Sequence, residues 1–255
     1  MPTGFVIYHG PSAITGAPIV AILTTRSSNS KTGDIPQVWI LDATTEPHTA
    51  AKNGGDVSVC GGCRHRTDSD GRRSCYVVTH HGPLSVYRTW KRGRYIDATT
   101  EHGWATLASW FARDVPRAVR LGAYGDPSAV HPNVMTALAF LARSNDCTPL
   151  GYTHDWRHPR AAHLQSMCMA SVDTPDEMNT ATARGWRTFR VRTEHEENYI
   201  GEVTCPATTP DRATCRSCRR CDGIRPDDSS FVSPHVSVVV HGSGTKHYVN
   251  RRDNA

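Results

Sequence analysis

The sequence predicts an α/β fold, a (β/α) barrel or part-barrel, with a C-terminal cysteine-rich metal-binding appendage. Three observations predict it. Apolar runs of strand length alternate with helical patterns along the middle of the chain, at least five such strands occur, and seven of the nine cysteines fall into two groups. Alternating strands and helices are typical of parallel α/β units, and 255 residues suffice for one sizeable core.

Short apolar runs predict the strands, because they have the length of strands rather than of buried helices. In chain order the predicted strands are Ile19–Leu23, Val38–Leu41, Ala118–Gly122, Pro149–Thr153, Met169–Val172, Arg187–Val191 and Val236–Val240. The predicted helices are Trp104–Phe111, Asn133–Arg143 and a short one at Ala161–Gln165. A last helix is expected after Thr174, a good N-cap, with Pro175 at its first position and Gly185 near its end.

A change of composition near residue 204 predicts two regions. Residues 1–203 are expected to form a barrel-like α/β catalytic domain with a cysteine loop at 60–75. Residues 204–255 are rich in cysteine, arginine and proline, and they are expected to form the metal-binding segment.

The net charge is +5, and arginines supply most of it in patches. Guanidinium groups suit phosphates, so DNA or another nucleic acid is an expected partner. No apolar run approaches the roughly 20 residues of a membrane helix, and no secretory signal is visible. We therefore expect a cytoplasmic protein with no membrane partner, and the sequence leaves its oligomeric state open.

The two cysteine groups predict metal sites rather than disulfides, because the cysteine count is odd and no secretion signal is visible. A two-residue spacing puts two thiolates on one turn, and three or four thiolates suit Zn²⁺ or an iron–sulfur cluster. The groups have the spacings Cys60-x2-Cys63-x11-Cys75 and Cys205-x9-Cys215-x2-Cys218-x2-Cys221. The alternatives to Cys205 as a fourth ligand are His235, His241 and His247. The spacing leaves open whether the two groups share one site.

Two aspartates follow predicted strands, at the edge where parallel α/β folds place their sites. Asp126 comes after the Ala118–Gly122 strand, and Asp173 comes directly after Met169–Val172. A carboxylate in such a place serves as a nucleophile, a base or an acceptor for a nucleobase edge. The structural alternative is that each aspartate only caps the helix that follows it.

Four further residues are candidates for binding a substrate. Tyr152 and His154 follow another predicted strand and are expected to stack on a base or to pack the rim of the barrel. Asn29 and Lys31 lie in the donor-rich loop after the first predicted strand and are expected to bind an anion.

A barrel with strand-end carboxylates and a C-terminal cysteine site resembles the tRNA-guanine transglycosylase superfamily. Within it, the phage DNA-guanine transglycosylases, which place 7-deazaguanine bases in DNA, are the most similar group. Cys215, Cys218, Cys221 and His247 are similar to the three cysteines and the later histidine of that superfamily.

This resemblance implies a glycosyltransferase that works on DNA in the host cytoplasm and helps a bacteriophage to evade restriction. Asp173 would attack the sugar C1′, guanine would leave, and a free modified purine base would replace it. Asp126 would read the base, and Zn²⁺ would be held by the second cysteine group.

Two other hypotheses use the residues that this resemblance leaves unexplained. Cys60, Cys63 and Cys75 would leave one iron of a four-iron cluster open to S-adenosylmethionine, and Gly125-Asp126-Pro127 looks like a feature of radical S-adenosylmethionine enzymes. The other four cysteines would then hold an auxiliary cluster. The third hypothesis is a zinc-dependent nucleic-acid-binding protein without catalysis.

Overall fold

The protein is a mixed α/β structure with two β-sheets, one mixed and one parallel. The computed structural model describes residues 2–209, 213–224, 234–242 and 244–253. The α/β class predicted from the sequence is therefore confirmed.

The strands and helices are numbered in chain order. The strands are β1 (Gly4–Pro11), β2 (Pro18–Thr24), β3 (Gln37–Asp42), β4 (Ile96–Asp97), β5 (Ala118–Tyr124), β6 (Thr148–Leu150), β7 (Tyr152–Thr153), β8 (Met169–Val172), β9 (Thr188–Arg192), β10 (Glu202–Thr204) and β11 (His235–Val239). The helices are α1 (Pro47–Asn53), α2 (Val57–Cys60), α3 (Gly82–Lys91), α4 (Glu101–Asp114), α5 (Pro132–Arg143), α6 (Pro175–Ala183), α7 (Cys215–Cys218) and α8 (Thr245–Asp253).

The first sheet has the order β4-β1-β2-β3-β5-β6. Its β1, β2 and β3 are antiparallel neighbours, whereas β5 runs parallel to both β3 and β6. Strand β2 has the near-continuous apolar sequence PIVAILT, of which five consecutive residues are buried. Such a run is typical of a strand covered on both faces, and this strand forms the centre of the main core.

The second sheet has the order β10-β11-β9-β8-β7, and all of its strands are parallel. It meets the first sheet at Gly151, because β6 ends at Leu150 and β7 begins at Tyr152. A Cβ atom at Gly151 would lie 2.9 Å from the Cys168 sulfur. The missing side chain therefore allows the two sheets to join here. Both strand orders are open-ended among the described residues.

Each predicted strand is present, and Pro149–Thr153 is divided by Gly151 into β6 and β7. The helix predicted after Thr174 is α6, and the Thr174 hydroxyl accepts a hydrogen bond from the Glu177 backbone N–H as expected of an N-cap. The segment predicted as a short helix at Ala161–Gln165 lies within a 3₁₀ helix.

The structure also contains elements that the sequence patterns did not predict, of which β1 is the longest strand. Its apolar run is short, covering only Phe5–Ile7 of the first half, and its second half alternates partly exposed and exposed residues. The predicted boundary between residues 203 and 204 lies inside β10, so both sides of this boundary contribute strands to the second sheet. No described helix is both long enough and apolar enough to cross a membrane.

Candidate metal and substrate site

Both cysteine groups line one cavity of about 400 Å³, to which strands of both sheets contribute residues. Cys63 and Cys75 of the first group face it, and so do Cys205, Cys215 and Cys221 of the second. A cavity of this volume is in the size range of small-molecule sites. The groups are separated by at least 130 residues of sequence, yet the fold brings them to the same space.

A buried carboxylate holds the first cysteine group in place. Asp56 precedes α2, which ends at Cys60, and its side chain is only 1% exposed. Its Oδ1 accepts a hydrogen bond from Arg66 Nε at 2.8 Å, and its Oδ2 accepts one from Arg73 Nη1 at 3.1 Å. Arg66 also donates to the carbonyl of Gly61. These bonds fix both sides of the cysteine loop.

The thiols of the first group lie close enough to affect one another. Burial raises the pKa of Cys60 well above its usual value, and the negative charges of Asp56, Cys63 and Cys75 add to this effect. Burial also raises the pKa values of Cys63 and Cys75. Arg73 acts in the opposite direction on Cys60 and Cys75. Without a metal, these thiols are therefore protonated at neutral pH.

The second group is formed by α7 and the segments on either side of it. Thr214 caps α7, with its hydroxyl accepting from the Ser217 N–H. The Cys215 N–H donates to the Lys31 carbonyl at 3.1 Å, which attaches α7 to the loop after β2. The Cys221 carbonyl accepts from the Gly151 N–H at 2.9 Å. The second group is thus bonded to the point where the sheets meet.

A buried arginine anchors the segment after this group. Arg187 Nη1 donates to Asp222 Oδ1 at 2.7 Å and to the Gly223 carbonyl at 2.8 Å. Its Nη2 donates to the carbonyls of Arg220 and Pro234, each at 2.7 Å. The side chain of Arg187, next to the start of β9, therefore holds Arg220, Asp222, Gly223 and Pro234 in place.

The thiols of the second group are also neighbours. Burial raises the pKa of Cys221 well above its usual value, and Cys205, Cys215 and Cys218 raise it further. Cys205 therefore lies with the three clustered cysteines. Among the described residues, however, no three His, Cys, Asp or Glu side chains are arranged to hold a metal ion. The thiols within each group are neighbours, but they are not arranged as a complete coordination shell.

The histidines considered as a fourth ligand have other surroundings. His235 Nδ1 is within 3.0 Å of the Thr188 backbone nitrogen at the start of β9. His241 lies on the cavity wall beside Tyr76, with ring centroids 5.9 Å apart. The half-buried His247 is on α8, and it is not among the residues that line the cavity.

Asp173 belongs to a buried chain of hydrogen bonds behind the cavity wall. Its Oδ2 is 2.9 Å from His65 Nε2, and His65 Nδ1 is 2.8 Å from Ser74 Oγ. Tyr248 donates to Asp173 Oδ1 at 3.2 Å. Burial by itself raises the pKa of Asp173, but the hydrogen bond from His65 and the electrostatic effect of the nearby His65, His154 and Arg64 side chains outweigh it and lower the pKa.

This chain is able to move a proton between the cavity and the buried carboxylate. A neutral imidazole that donates from Nε2 has a lone pair at Nδ1, which accepts the Ser74 proton. His65, Ser74 and Tyr248 line the cavity, whereas Asp173 is 2% exposed and lies behind them. Ser74 directly precedes Cys75, and His65 lies close to Cys63 in the sequence. This chain of hydrogen bonds therefore also orients the cysteine loop.

The hydrogen bonds of Asp126 hold neighbouring loops together. Its carboxylate accepts from the Ser128 N–H, the Thr153 hydroxyl and the His154 N–H, at 3.0, 2.7 and 2.7 Å. Its own N–H donates to the Val59 carbonyl at 2.7 Å, one residue before Cys60. Asp126 thus connects the loops after β5 and β7 to the first cysteine group, and it is absent from the residues that line the cavity.

The other predicted binding residues all face the cavity. Asn29, Lys31, Tyr152 and His154 line it, and His154 also borders a second cavity of about 360 Å³ that Cys60 and Cys63 share. His154 Nε2 is 3.1 Å from Ser171 Oγ. Tyr152 stacks on Phe189, with ring centroids 4.4 Å apart.

Sequence reasoning missed the arginine at the centre of the cavity. Arg120 comes from the middle of β5, and its Nη2 donates to the hydroxyls of Tyr76 and Tyr152 at 2.5 and 2.7 Å. Burial lowers the pKa of Arg120, but Tyr152 and Tyr76 outweigh it and the net change is upward, so the guanidinium stays charged. The sequence feature that could have revealed this residue is a charge inside the otherwise apolar run AVRLG.

Comparison of the chain with protein-family models, with curated proteins and with solved structures finds no match. The geometry of the site is therefore the basis on which its function is inferred.

Proposed function

We propose that the protein is an enzyme that binds metal clusters through both cysteine groups and acts on a substrate in the cavity between them. Its chemistry would be that of a divergent radical S-adenosylmethionine-like iron–sulfur enzyme. One observation carries the proposal: thiols of a three-cysteine group and of a four-cysteine group line the same cavity of about 400 Å³. A zinc site that served only to hold a domain together would have no need to face a substrate cavity.

The donor sets fit thiolate-bound metal. A group of four cysteines suits a closed cluster or a zinc site, and a group of three leaves one metal position without a protein ligand. The thiols within each group raise one another's pKa, which requires that they be near neighbours. Metal uptake must then release their protons.

The cluster on three thiolates would supply one-electron reduction of S-adenosylmethionine when bound. The residues of the chain would position the reactants. Asp126 would hold the first group against the strand ends through Val59, and Asp56 would keep its loop closed. Ser74, His65 and Asp173 would take up or return a proton at the cavity wall.

The proposed architecture is a part-barrel. The two sheets join through Gly151, and residues of β5, β6, β7, β8, β9 and β11 all contribute to the cavity wall. A single curved wall of this kind would enclose one side of the site.

A DNA-guanine transglycosylase is the second candidate, and the ionised carboxylate of Asp173 at the end of β8 favours it. In this mechanism Asp173 would attack the sugar, and DNA and a free modified purine would be the substrates. Both of its oxygens are engaged by His65 and Tyr248, which stand between it and the cavity. Those two side chains would have to move before Asp173 could reach a sugar.

The deciding experiment is metal analysis of protein purified without air and then supplied with iron and sulfide. We expect iron, sulfide and a broad visible absorption, followed by reductive cleavage of S-adenosylmethionine when dithionite is added. Cys63→Ser with Cys75→Ser should abolish cleavage, and Cys147→Ser, at a buried cysteine outside both groups, should not. A colourless protein that takes up zinc alone would overturn the proposal. Exchange of a labelled base, lost in Asp173→Asn, would then support the second candidate.

A further inference from the structure

We infer that Arg120 is the recognition site for an oxyanion, a carboxylate or a phosphate, at one end of an organic substrate. The inference shares the cavity with the proposed function and rests on that function only for the reaction that follows binding. Its main basis is a contrast between the half-buried Arg120 and three arginines that are paired with carboxylates.

Three other arginines in the interior or at its edge each have a carboxylate partner. Arg190 donates to Glu202 at 2.7 Å, with both side chains fully buried, and Arg187 donates to Asp222. Arg73 pairs with Asp56. Pairing of this kind offsets the large cost of moving a charge out of water.

Arg120 has no such partner among the described residues. Its hydrogen-bond acceptors are the hydroxyls of Tyr76 and Tyr152, which carry no charge. The residues that line the cavity include Lys31 but no Asp or Glu. The cavity therefore has an excess of positive charge that an anionic ligand would neutralise.

The hydrogen-bonding geometry suits an oxyanion. Only Nη2 of Arg120 donates to the described residues, so the N–H groups of Nε and Nη1 remain available to ligand oxygens. The hydroxyls of Tyr76 and Tyr152 are 3.0 Å apart, so one proton serves the bond between them and the other is free to donate. A planar guanidinium with adjacent hydroxyl donors is well matched to a carboxylate or a phosphate.

The rest of the cavity determines the body of the ligand. Leu150, Phe189, Val191 and Val238 line it beside the arginine. Apolar lining with a few polar groups at one end is typical of sites that orient a small organic molecule. We therefore expect a ligand with an aromatic or aliphatic body and one anionic end.

The test measures the binding of three probes of similar size: phenyl phosphate, benzoate and benzyl alcohol. One or both anions should bind roughly tenfold or more tightly than the neutral alcohol, as expected for a charge-assisted hydrogen bond. The preferred anion distinguishes a phosphate from a carboxylate. Arg120→Met should abolish the difference between anion and alcohol, and Arg113→Met, at an exposed arginine, should preserve it.

A second measurement uses the unaltered protein, in case Arg120→Met does not fold. The favoured anion should slow the modification of Arg120 by phenylglyoxal, followed by mass spectrometry, and should leave Arg113 unaffected. Equal affinities for the three probes, or no protection of Arg120, would overturn the inference. Binding should persist after iron is supplied. If anion binding is lost once iron is bound, Arg120 interacts with the cysteine thiolates instead of with a ligand, and the inference is wrong. If the protein takes up no iron, the proposed function fails but the anion-binding result still stands.

Discussion

The two cysteine groups share a cavity, but the chain holds them in different ways. The first group is fixed by bonds within its own loop, since Asp56 pairs with Arg66 and Arg73, which are 10 and 17 residues away. The second group is fixed from a distance, because Arg187 at the start of β9 reaches residues 33 to 47 positions further along the chain.

The first group therefore depends mostly on contacts that are local in sequence, whereas the second depends on long-range contacts. The first loop depends mainly on its own ion pairs, with added contacts from Asp126 after β5 and from Asp173 after β8. The second group forms only when β9 and the later segments are in place. Disturbing the second sheet should therefore damage the second metal site first, and disturbing Asp56 should do the reverse.

The largest effect is expected from Arg187→Met. It removes four hydrogen bonds to the segment after the second group. Breaking a buried ion pair costs about 3–5 kcal/mol, so the urea midpoint should fall strongly. Metal bound by the second group should be lost while that of the first remains. The matched control is Arg113→Met, which breaks an exposed pair with Asp114 and should cost at most about 1 kcal/mol. Equal loss of metal from both groups would contradict the comparison.

Asp56→Asn is the reciprocal change and should be somewhat milder. The amide keeps the shape but leaves Arg66 and Arg73 without a negative partner at that position. We expect the free energy of unfolding to fall by about 3 kcal/mol. Metal bound by the first group should be lost selectively, which the metal content of the variant, with all of its cysteines present, would measure. Glu46→Gln, which alters the exposed pair with Arg88, is the control. Unchanged metal in the first group would show that its loop is held by other contacts.

Gly151→Ala should have an intermediate effect on both groups. The new methyl would meet the Cys168 sulfur at 2.9 Å, at the point where the two sheets join. Overpacking of this kind costs about 1–3 kcal/mol. Adding Cys168→Ala should restore part of the stability, and a thermal-unfolding series of the two single variants and the double variant would measure this coupling. Additive effects would mean that the sheets do not meet closely there.

The smallest predicted effect is the acid sensitivity of Asp173. Its pKa is lowered in the folded protein, so its contribution to stability is present above the unfolded pKa of about 3.9 and is lost as pH falls through the folded pKa. Urea unfolding at neutral and acid pH should show that Asp173→Asn flattens this dependence. An unchanged pH profile would remove Asp173 from the charged network.

The sequence predicted the buried parts of the fold better than the geometry of the site. Apolar runs such as Met169–Val172 determine strands through local pattern alone, and the structure reproduces that run residue for residue. The meeting of Cys63 and Cys205 at one cavity depends on contacts across more than 140 residues, which no local spacing records. Arg120 was missed for the same reason, because an arginine in a strand reveals its partners only after the tyrosines have been brought to it.

The order of strands in the second sheet constrains how the protein folds during synthesis. Strand β11 lies between β9 and β10, although β10 precedes it in the chain. As the chain leaves the ribosome, β10 has no neighbour until β11 has emerged and inserted. The connection between β10 and β11 contains the whole second cysteine group after Thr204. One side of the cavity thus stays open until late in synthesis, which would leave the thiols accessible to a metal before the wall closes.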